Sequence, residues 1–322
     1  SENLHPTVWT GDVAVSTIKH YEGEQPLFLK ISFARPHSPY DPPQRILEMY
    51  ENIEIPAPAE GEWSKHIGKD ITDPQADSSA AFAQFSTEYV KNTRKHYYAA
   101  VTFIDEQVGR IVKALKEKGM YDNTIICFTS DHGDMMGDHH SWRKTYAYEG
   151  SAAIPMIIKT PKDVEGVHCR GKVIENPVEL RDILPTFLDA AGVETPEAMD
   201  GRSMLKLIKE ENPQWRRWID MEHATCYSEE NYWCALTDGK IKYIWFLRTG
   251  EEQLFDLVKD PHETVNQITN RKYRKQTDEL RRAMAEHLSE RGDKWVKDGQ
   301  LQKREKTLLY SPNYPSGLPT KK

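Results

Sequence analysis

Thr124-Ile-Ile-Cys-Phe-Thr-Ser-Asp-His-Gly-Asp-Met-Met-Gly-Asp-His-His140 is the stretch of sequence that decides the fold. Residues 124–130 form a continuous apolar run, which is typical of a strand that is buried on both faces of a sheet. Residues 131–140 then hold three aspartates and three histidines. Ligands of α/β sheets bind beyond the carboxyl ends of the strands, so this position predicts a binding site.

A second apolar run, residues 27–34, also reads as a buried central strand. It leads into Arg35-Pro-His-Ser-Pro-Tyr-Asp-Pro-Pro43, whose four prolines exclude regular structure. A third strand is predicted at 154–159. The first two strands therefore end in polar clusters that we expect to meet at one edge of the sheet.

Helices are predicted around these strands. Val90, Tyr97, Val101 and further apolar residues recur at helical spacing between Thr87 and Lys118, with Gly119 as the residue that ends the helix. Shorter helices are expected at about 10–21 and 180–192. The pattern predicts one α/β domain over residues 1–212.

The character of the chain changes beyond residue 213. Three short strands separated by turn residues predict an antiparallel meander, followed by a charged amphipathic helix at about 268–291 and a surface tail from residue 300. We therefore expect a small antiparallel α+β subdomain over residues 213–322. The strands are predicted at 232–237, 240–247 and 252–256.

The composition of the 322 residues narrows the class of protein. A net charge of −7 and a pI near 6.0 give no basic surface for nucleic acid. The basic run 271–275 is typical of a solvated helix face. No apolar stretch approaches the ~18 residues of a membrane span. Four cysteines without metal-binding spacing leave the redox compartment open, and Cys226 and Cys234 could bridge or stay free.

Asp131 and His132 are candidate metal ligands. A carboxylate and an imidazole side by side at a strand end suit a divalent cation, and Gly133 lets the backbone approach it. An Asp-rich site without cysteine favours Ca²⁺ or Mg²⁺, and the histidine leaves Mn²⁺ or Zn²⁺ possible. The alternative is a solvated polar loop whose aspartates cap backbone groups.

Three further residues are candidates for anion binding. Arg143 and Lys144 could clamp a tetrahedral oxyanion beside the metal, or could simply pair with Asp134 or Asp138. His37 lies in the proline-stiffened loop, where a rigid imidazole could donate a proton or contact an oxyanion. A structural role for His37 is the competing interpretation.

Taken together, five segments resemble the sulfatase branch of the alkaline-phosphatase superfamily. They occur in the family's order, and the resemblance covers residues from about 10 to 290. Each segment alone is moderately specific. The five are Arg35–Pro43, Thr129–His139, Trp142-Arg-Lys144, Tyr148–Pro155 and Glu252–Asn266.

The resemblance implies a role for each matched residue. Asp131 and His132 would bind the active-site Ca²⁺. Lys144 would hold sulfate oxygens, and His37 would contact the sulfate or protonate the leaving oxygen. The implied fold is an alkaline-phosphatase-like mixed sheet flanked by helices, with a small C-terminal antiparallel subdomain. Asp134, His139 and Arg143 would either support these residues from behind or face the substrate.

The sequence departs from the family pattern in one respect. Family members form a formylglycine nucleophile from a C-x-P-x-R motif, and no cysteine or serine of this chain lies in such a motif. The paired aspartates that complete the metal site, and the Gly-Lys-Trp-His segment, are absent as well. We therefore expect the chain to be a C-terminal portion whose α/β domain lacks its N-terminal part.

The resemblance predicts a sulfuric ester hydrolase that releases sulfate from a sulfated sugar or an aryl sulfate, with this chain inactive by itself. A phosphodiesterase or phosphonate hydrolase of the same superfamily is one alternative, and a non-catalytic fragment or homologue is another. The expected partners are the substrate and either the missing N-terminal segment or a second copy. The family implies a periplasmic or extracellular location.

Overall fold

The computed structural model describes residues 2–77, 79–224 and 226–305. Within those ranges no helix is both long enough and apolar enough to cross a membrane. The helices are α1 (Pro6–Lys19), α2 (Gln44–Glu48), α3 (Thr87–Glu117), α4 (Glu149–Ala152), α5 (Ile183–Ala190), α6 (Leu205–Lys209) and α7 (Arg274–Ser289). The strands are β1 (Ile126–Thr129), β2 (Met156–Lys159), β3 (Ile219–His223), β4 (Trp233–Thr237), β5 (Ile241–Phe246), β6 (Glu252–Asp256), β7 (Val296–Lys297) and β8 (Gln300–Leu301).

The long helix α3 confirms the predicted helix to within a residue. The Ser86 hydroxyl accepts a hydrogen bond from the backbone N–H of Tyr89 and caps the first turn. At the other end Gly119 adopts φ 72°, the left-handed conformation that ends many helices. The helix contacts α1, and together they form one layer of the α/β domain.

Helix α1 begins at Pro6, four residues before the predicted start. His5 accepts a hydrogen bond from the N–H of Thr7 through Nδ1, so it acts as the N-cap. Proline suits the first helical position because its φ is already helical and its missing N–H has no partner there. A cap followed by proline is the sequence signal that the prediction overlooked.

Strands β1 and β2 pair antiparallel, with Phe128 opposite Ile157. One face of this pair packs through Ile126 on the apolar cluster of α1 and α3. Phe128 and Ile157 lie on this same face further along the pair, and there the Ile157 side chain is 61% exposed. The predicted strands at 124–130 and 154–159 are therefore confirmed, but the predicted burial of 124–130 on both faces is wrong, because every side chain of β1 is half-buried or exposed.

The prediction of a buried central strand at 27–34 is wrong. Ile31 and Phe33 do pack on the cluster of α1 and α3, but Phe28 is 72% exposed and no strand of the described residues pairs with this segment. The apolar run has the composition of a central strand. Whether a segment becomes a central strand, however, depends on neighbouring strands elsewhere in the chain, and local composition does not specify these.

The C-terminal sheet has the order β3-β4-β5-β6 and is antiparallel throughout. Its last three strands confirm the predicted meander, and β3 was not predicted. Helix α7 packs its apolar side, including Leu280 and Met284, on one face of this sheet. A domain boundary at residue 212 stays a prediction. So does the tail beyond residue 305, which lies outside the described residues.

All four cysteines are free thiols. Burial raises the pKa of the Cys234 thiol, because a thiolate would lose its hydration inside the C-terminal sheet. The bridge that the sequence left open between Cys226 and Cys234 is therefore not formed in this structure.

Candidate active site

Asp131 and His132 follow β1 and converge on one point. His132 donates its Nδ1–H to the carbonyl oxygen of Gly133 at 2.8 Å, which fixes Nε2 as the nitrogen with the free lone pair. That Nε2 lies 3.6 Å from Oδ2 of Asp131. An imidazole nitrogen and a carboxylate oxygen at this separation can bind the same cation.

The two ligands fit a divalent cation in kind but not in number. The Asp131 side chain is 82% exposed, so its carboxylate is available to a ligand. In the described ranges no group of three or more His, Cys, Asp or Glu residues is arranged to hold a metal ion. Calcium takes about 6–8 oxygen ligands. Asp131 and His132 alone would therefore leave a calcium shell incomplete.

Lys144 and His37 meet beside this pair. Lys144 Nζ lies 2.8 Å from Nε2 of His37, although the two residues are 107 positions apart in the sequence. His37 donates its Nδ1–H to the carbonyl of Ser38, so Nε2 accepts the hydrogen bond from the ammonium group. The rings of His37 and His132 are 6.4 Å apart. The structure therefore brings together four of the predicted site residues.

Asp134 organises the loop that carries Lys144. Its Oδ1 accepts hydrogen bonds from the backbone N–H groups of Met136 and Arg143, each at 3.0 Å. Its Oδ2 accepts a hydrogen bond from the Tyr40 hydroxyl at 3.2 Å. The side chain thus has three partners within the protein, and it joins the loop to the segment that contains His37.

Gly133 allows the metal-ligand segment to approach α4 closely. Its N–H donates to the carbonyl of Ser151 at 2.8 Å. A Cβ atom at this position would lie 2.2 Å from the carbonyl oxygen of Gly150, far inside van der Waals contact. The Asp131-His132 pair therefore rests on the first turn of α4.

Arg94 of α3 contacts the backbone and a carboxylate of the loop 131–140, a role that no sequence pattern predicted. Its guanidinium donates to the carbonyls of Met136 at 2.9 Å and Ala57 at 3.0 Å and to Oδ1 of Asp138. Asp138 thus pairs with a buried arginine, and not with Arg143 or Lys144. The two cations after the acidic cluster have no ion pair with it among the described residues.

Arg143 and Thr145 flank Lys144 with positive φ angles of 69° and 89°. The C-terminal sheet supports this strained backbone from behind. The indole N–H of Trp233 donates to the Thr145 carbonyl at 2.9 Å, and Asn231 donates to the same carbonyl at 3.2 Å. Such backbone angles persist only where the surroundings hold them. The C-terminal subdomain therefore helps to position Lys144.

His139 does not lie with the other site residues. It is 1% exposed and packs at a tilt against the rings of Trp63 and Tyr148, with centroids at 4.5 and 5.6 Å. Its Nε2 donates to the His262 carbonyl at 2.9 Å. Burial lowers the pKa of His139, since the charged ring would lose its hydration. A substrate contact for His139 stays a prediction that this geometry does not favour.

Two tyrosines line the site that were not among the predicted site residues. Tyr40 and Tyr97 lie with ring centroids 5.9 Å apart, and Tyr97 had been assigned to the apolar face of α3. Burial, together with the nearby Asp134 carboxylate, raises the pKa of Tyr97 to about 12. Both hydroxyls therefore stay neutral at physiological pH. The position of Tyr40 three residues after His37 was the available signal.

A family model for sulfatases matches residues 10–193, more than half of the chain. The chain belongs to the sulfatase family. A second model, described as the C-terminal part of N-sulphoglucosamine sulphohydrolase, matches residues 137–290. The two matches include the site and the antiparallel sheet behind it.

Three similar proteins illustrate the range of the family. An arylsulfatase from Clostridium perfringens is 39% identical over 303 residues, covering 94% of this chain and 62% of the relative. An N-acetylglucosamine-6-O-sulfatase from Bacteroides thetaiotaomicron is 28% identical over a match that covers 84% of this chain and 47% of the relative. A phosphonate monoester hydrolase from Silicibacter pomeroyi has a structure similar at TM-score 0.73 and 27% identity, covering 90% and 61%.

This sulfatase-family chain spans about six-tenths or less of the length of these relatives. The structural likeness confirms the predicted alkaline-phosphatase-like α/β fold. Family membership implies a divalent metal and a formylglycine nucleophile. Asp131 and His132 fit two of the ligands that such a metal needs. None of the four cysteines lies in the C-x-P-x-R motif that yields formylglycine.

Proposed function

We propose that this chain forms the metal-binding and anion-binding part of a sulfuric ester hydrolase that releases sulfate from a sulfated sugar or an aryl sulfate. The carrying observation is the 2.8 Å contact between Lys144 Nζ and His37 Nε2 beside the Asp131-His132 pair. A cation, a rigid imidazole and two metal ligands at one strand end form a site for a tetrahedral anion. The named substrates of the relatives support the choice of sulfate.

Each residue has a defined task in this proposal. Asp131 and His132 would hold Ca²⁺, which the carboxylate favours over softer metals. When bound, the metal neutralises negative charge that develops on the sulfate oxygens. Lys144 directs its ammonium group at the same oxygens. In its doubly protonated form, His37 would deliver a proton from Nε2 to the departing alcohol oxygen, while Nδ1–H stays on the Ser38 carbonyl. No attacking group is assigned within this chain.

Two consequences follow for the chain by itself. Its affinity for Ca²⁺ should be weak, because two ligands are a small part of a calcium shell. It should also turn over no sulfate ester, since it has no C-x-P-x-R motif. Calorimetric titration with CaCl₂ tests the first point. Asp131→Asn should abolish the weak signal, whereas Asp163→Asn, an exposed aspartate elsewhere, should leave it unchanged.

Activity is tested in the full-length gene product with an aryl sulfate. Lys144→Ala should lower kcat/KM by about 10²–10³-fold, the usual effect of removing one oxyanion contact. Lys172→Ala, at an exposed position, is the matched control and should have no effect. Unchanged activity of the Lys144 variant would contradict the proposal. A gene without C-x-P-x-R would favour a non-catalytic homologue instead.

The phosphonate hydrolase alternative rests on the structural likeness to a phosphonate monoester hydrolase. The same assay distinguishes the two, with an aryl phosphonate monoester and an aryl sulfate compared at equal concentration. Both esters are monoanions that Lys144 could bind, so the choice of the sulfate ester is supported by the sulfatase relatives and not by this cation. A higher kcat/KM for the phosphonate monoester would replace the sulfatase assignment.

A further inference from the structure

Five cations lie along one exposed face at the start of α7. Arg271, Arg274, Lys275 and Arg282 follow the helical spacing of three, four and eleven residues, and Lys272 lies beside them. They surround a shallow depression in which Asp278 is the one carboxylate. The opposite face of the helix, including Leu280 and Met284, is buried in the C-terminal core. We call these five side chains the α7 basic face.

The position of these charges is unfavourable for the helix itself. A helix N-terminus carries a partial positive charge, so acidic residues stabilise it and basic residues do not. Helix α3 follows this rule with Glu88 in its first turn, whereas α7 and the 3-10 turn before it have no acidic residue there. An anion at the α7 basic face would relieve this repulsion.

Most of these cations have no partner of their own. Within the described residues, Arg274 is 3.9 Å from Asp278, and no carboxylate lies within ion-pair distance of Arg271, Lys272, Lys275 or Arg282. Arg281 shows the contrast, because it pairs with Glu252 at 2.7 Å and with Asp278 at 3.1 Å. The charges are therefore available to a ligand.

The backbone below the charges is held in place. Asn270 accepts a hydrogen bond from the N–H of Lys272 at 3.0 Å, and the Tyr273 hydroxyl donates to Asp256 of β6 at 2.6 Å. A ligand would therefore meet an ordered turn, with little backbone entropy to lose on binding.

The length of the face favours a polymer over a single ion. Residues 271 to 282 span about 16 Å along a helix, so one sulfate could reach only a few of the cations. The chemistry around it disfavours single-stranded nucleic acid, which is usually bound with exposed aromatic rings that stack on its bases. Tyr273 is the nearest aromatic residue, and its hydroxyl is committed to Asp256 and Lys259.

We propose that the α7 basic face binds a sulfated polysaccharide, and that it tethers a polymeric substrate to the protein outside the active site. This inference rests on the proposed function, which it deepens by naming a sulfated glycan chain as the substrate class. Binding depends on charge along the polymer and is therefore weakened by salt.

The test measures the affinity of the 322-residue chain for dextran sulfate across a series of NaCl concentrations, with uncharged dextran as the blank. The variant Arg271→Gln/Lys272→Gln/Arg274→Gln/Lys275→Gln should reduce the slope of log K against log[NaCl] by roughly 3, since each ionic contact contributes about 0.7–0.9. This variant should fold, because it removes repulsion at a helix N-terminus.

The control variant removes four exposed lysines from another surface by Lys19→Gln/Lys113→Gln/Lys116→Gln/Lys118→Gln. It has the same net charge as the first variant and should keep most of the affinity. Equal losses in both variants would overturn the proposal, because binding would then follow net charge alone. Tighter binding of a DNA oligonucleotide than of dextran sulfate at equal salt would overturn it in favour of nucleic acid.

The two proposals can fail independently. Loss of dextran sulfate binding in the first variant, with aryl sulfate hydrolysis by the full-length product unchanged, is the expected result. No dextran sulfate binding by the unmodified chain, with aryl sulfate hydrolysis intact, would overturn only the glycan tether. Absence of hydrolysis with intact dextran sulfate binding would overturn only the catalytic proposal.

Discussion

Replacing Lys242 by methionine should destabilise the protein more than any surface change. Lys242 is on β5 with its side chain fully buried, and its Nζ lies 2.7 Å from Glu149 Oε1 and 2.8 Å from Glu263 Oε1. Glu263 also accepts the backbone N–H of Glu149 at the start of α4. The cluster therefore ties the C-terminal sheet to the helix on which the metal-ligand segment rests.

The magnitude follows from what the substitution leaves behind. Methionine fills a similar volume, so the loss of packing is small. The buried Glu263 carboxylate, however, loses the only cation that pairs with it among the described residues, and removing one partner of a buried ion pair costs about 3–5 kcal/mol. We expect the free energy of unfolding of Lys242→Met to fall by about that amount at neutral pH.

The loss should depend on pH with a definite sign. Burial raises the pKa of Glu263 above its ordinary value of 4.5, and Lys242 opposes that shift. A folded-state pKa above the unfolded value means that stability falls as pH rises through the interval between the two. Removing Lys242 raises the folded pKa further and widens this interval. The deficit of the variant should therefore be small below about pH 4.5 and grow towards neutral pH.

Urea unfolding followed by tryptophan fluorescence, at acidic and at neutral pH, measures both effects. The double variant Lys242→Met/Glu263→Gln is the control, because it removes the unpaired charge and keeps an acceptor for the Glu149 N–H. It should recover about 2 kcal/mol or more of the loss. A single-variant loss below about 1 kcal/mol, or one that is equal at both pH values, would refute the reasoning.

Two further predictions concern close packing and association. Gly133→Ala should lower the free energy of unfolding by about 1–3 kcal/mol, because its Cβ meets the Gly150 carbonyl. Gly109→Ala, which has open space in mid-helix, is the control and should raise it by up to about 1 kcal/mol. Thermal unfolding measures both variants, and equal shifts would contradict the packing argument. The chain should self-associate through the apolar segment 27–34, which pairs with no strand of the described residues. Sedimentation should therefore show more monomer for Phe28→Lys than for the unmodified chain, and no such change for the exposed control Val258→Lys. A monomeric unmodified chain would rule this out.

Local patterns predicted the elements whose stability is mainly local. The helix at Thr87–Glu117 and the strands β4 to β6 were found because helical periodicity and turn residues act within short windows. The prediction of a strand at 27–34 was wrong because strand pairing depends on distant residues. Its apolar run is compatible with a central strand, yet pairing requires a neighbour that no short window contains.

The site was predicted where chemistry and position coincide, at a strand end rich in acid and imidazole. The residues that hold the site loop in place could not be predicted in this way. Arg94, Trp233 and Lys242 act on the site loop from 42 or more positions away, through a carbonyl or a carboxylate. Such contacts leave no periodicity, since any arginine, tryptophan or lysine in the sequence could have served.

The histidines of the site show why composition alone could not assign the roles. His132 and His139 lie seven residues apart in the same acidic loop, and both were predicted to face the ligand. One donates Nδ1–H to a neighbouring carbonyl and keeps Nε2 open beside Asp131. His139 donates from Nε2 to the His262 carbonyl and is buried against Trp63 and Tyr148, where burial disfavours the charged ring. The tautomer and the burial of each ring therefore decide whether a histidine nitrogen is available to a ligand, and the spacing of histidines in the sequence specifies neither.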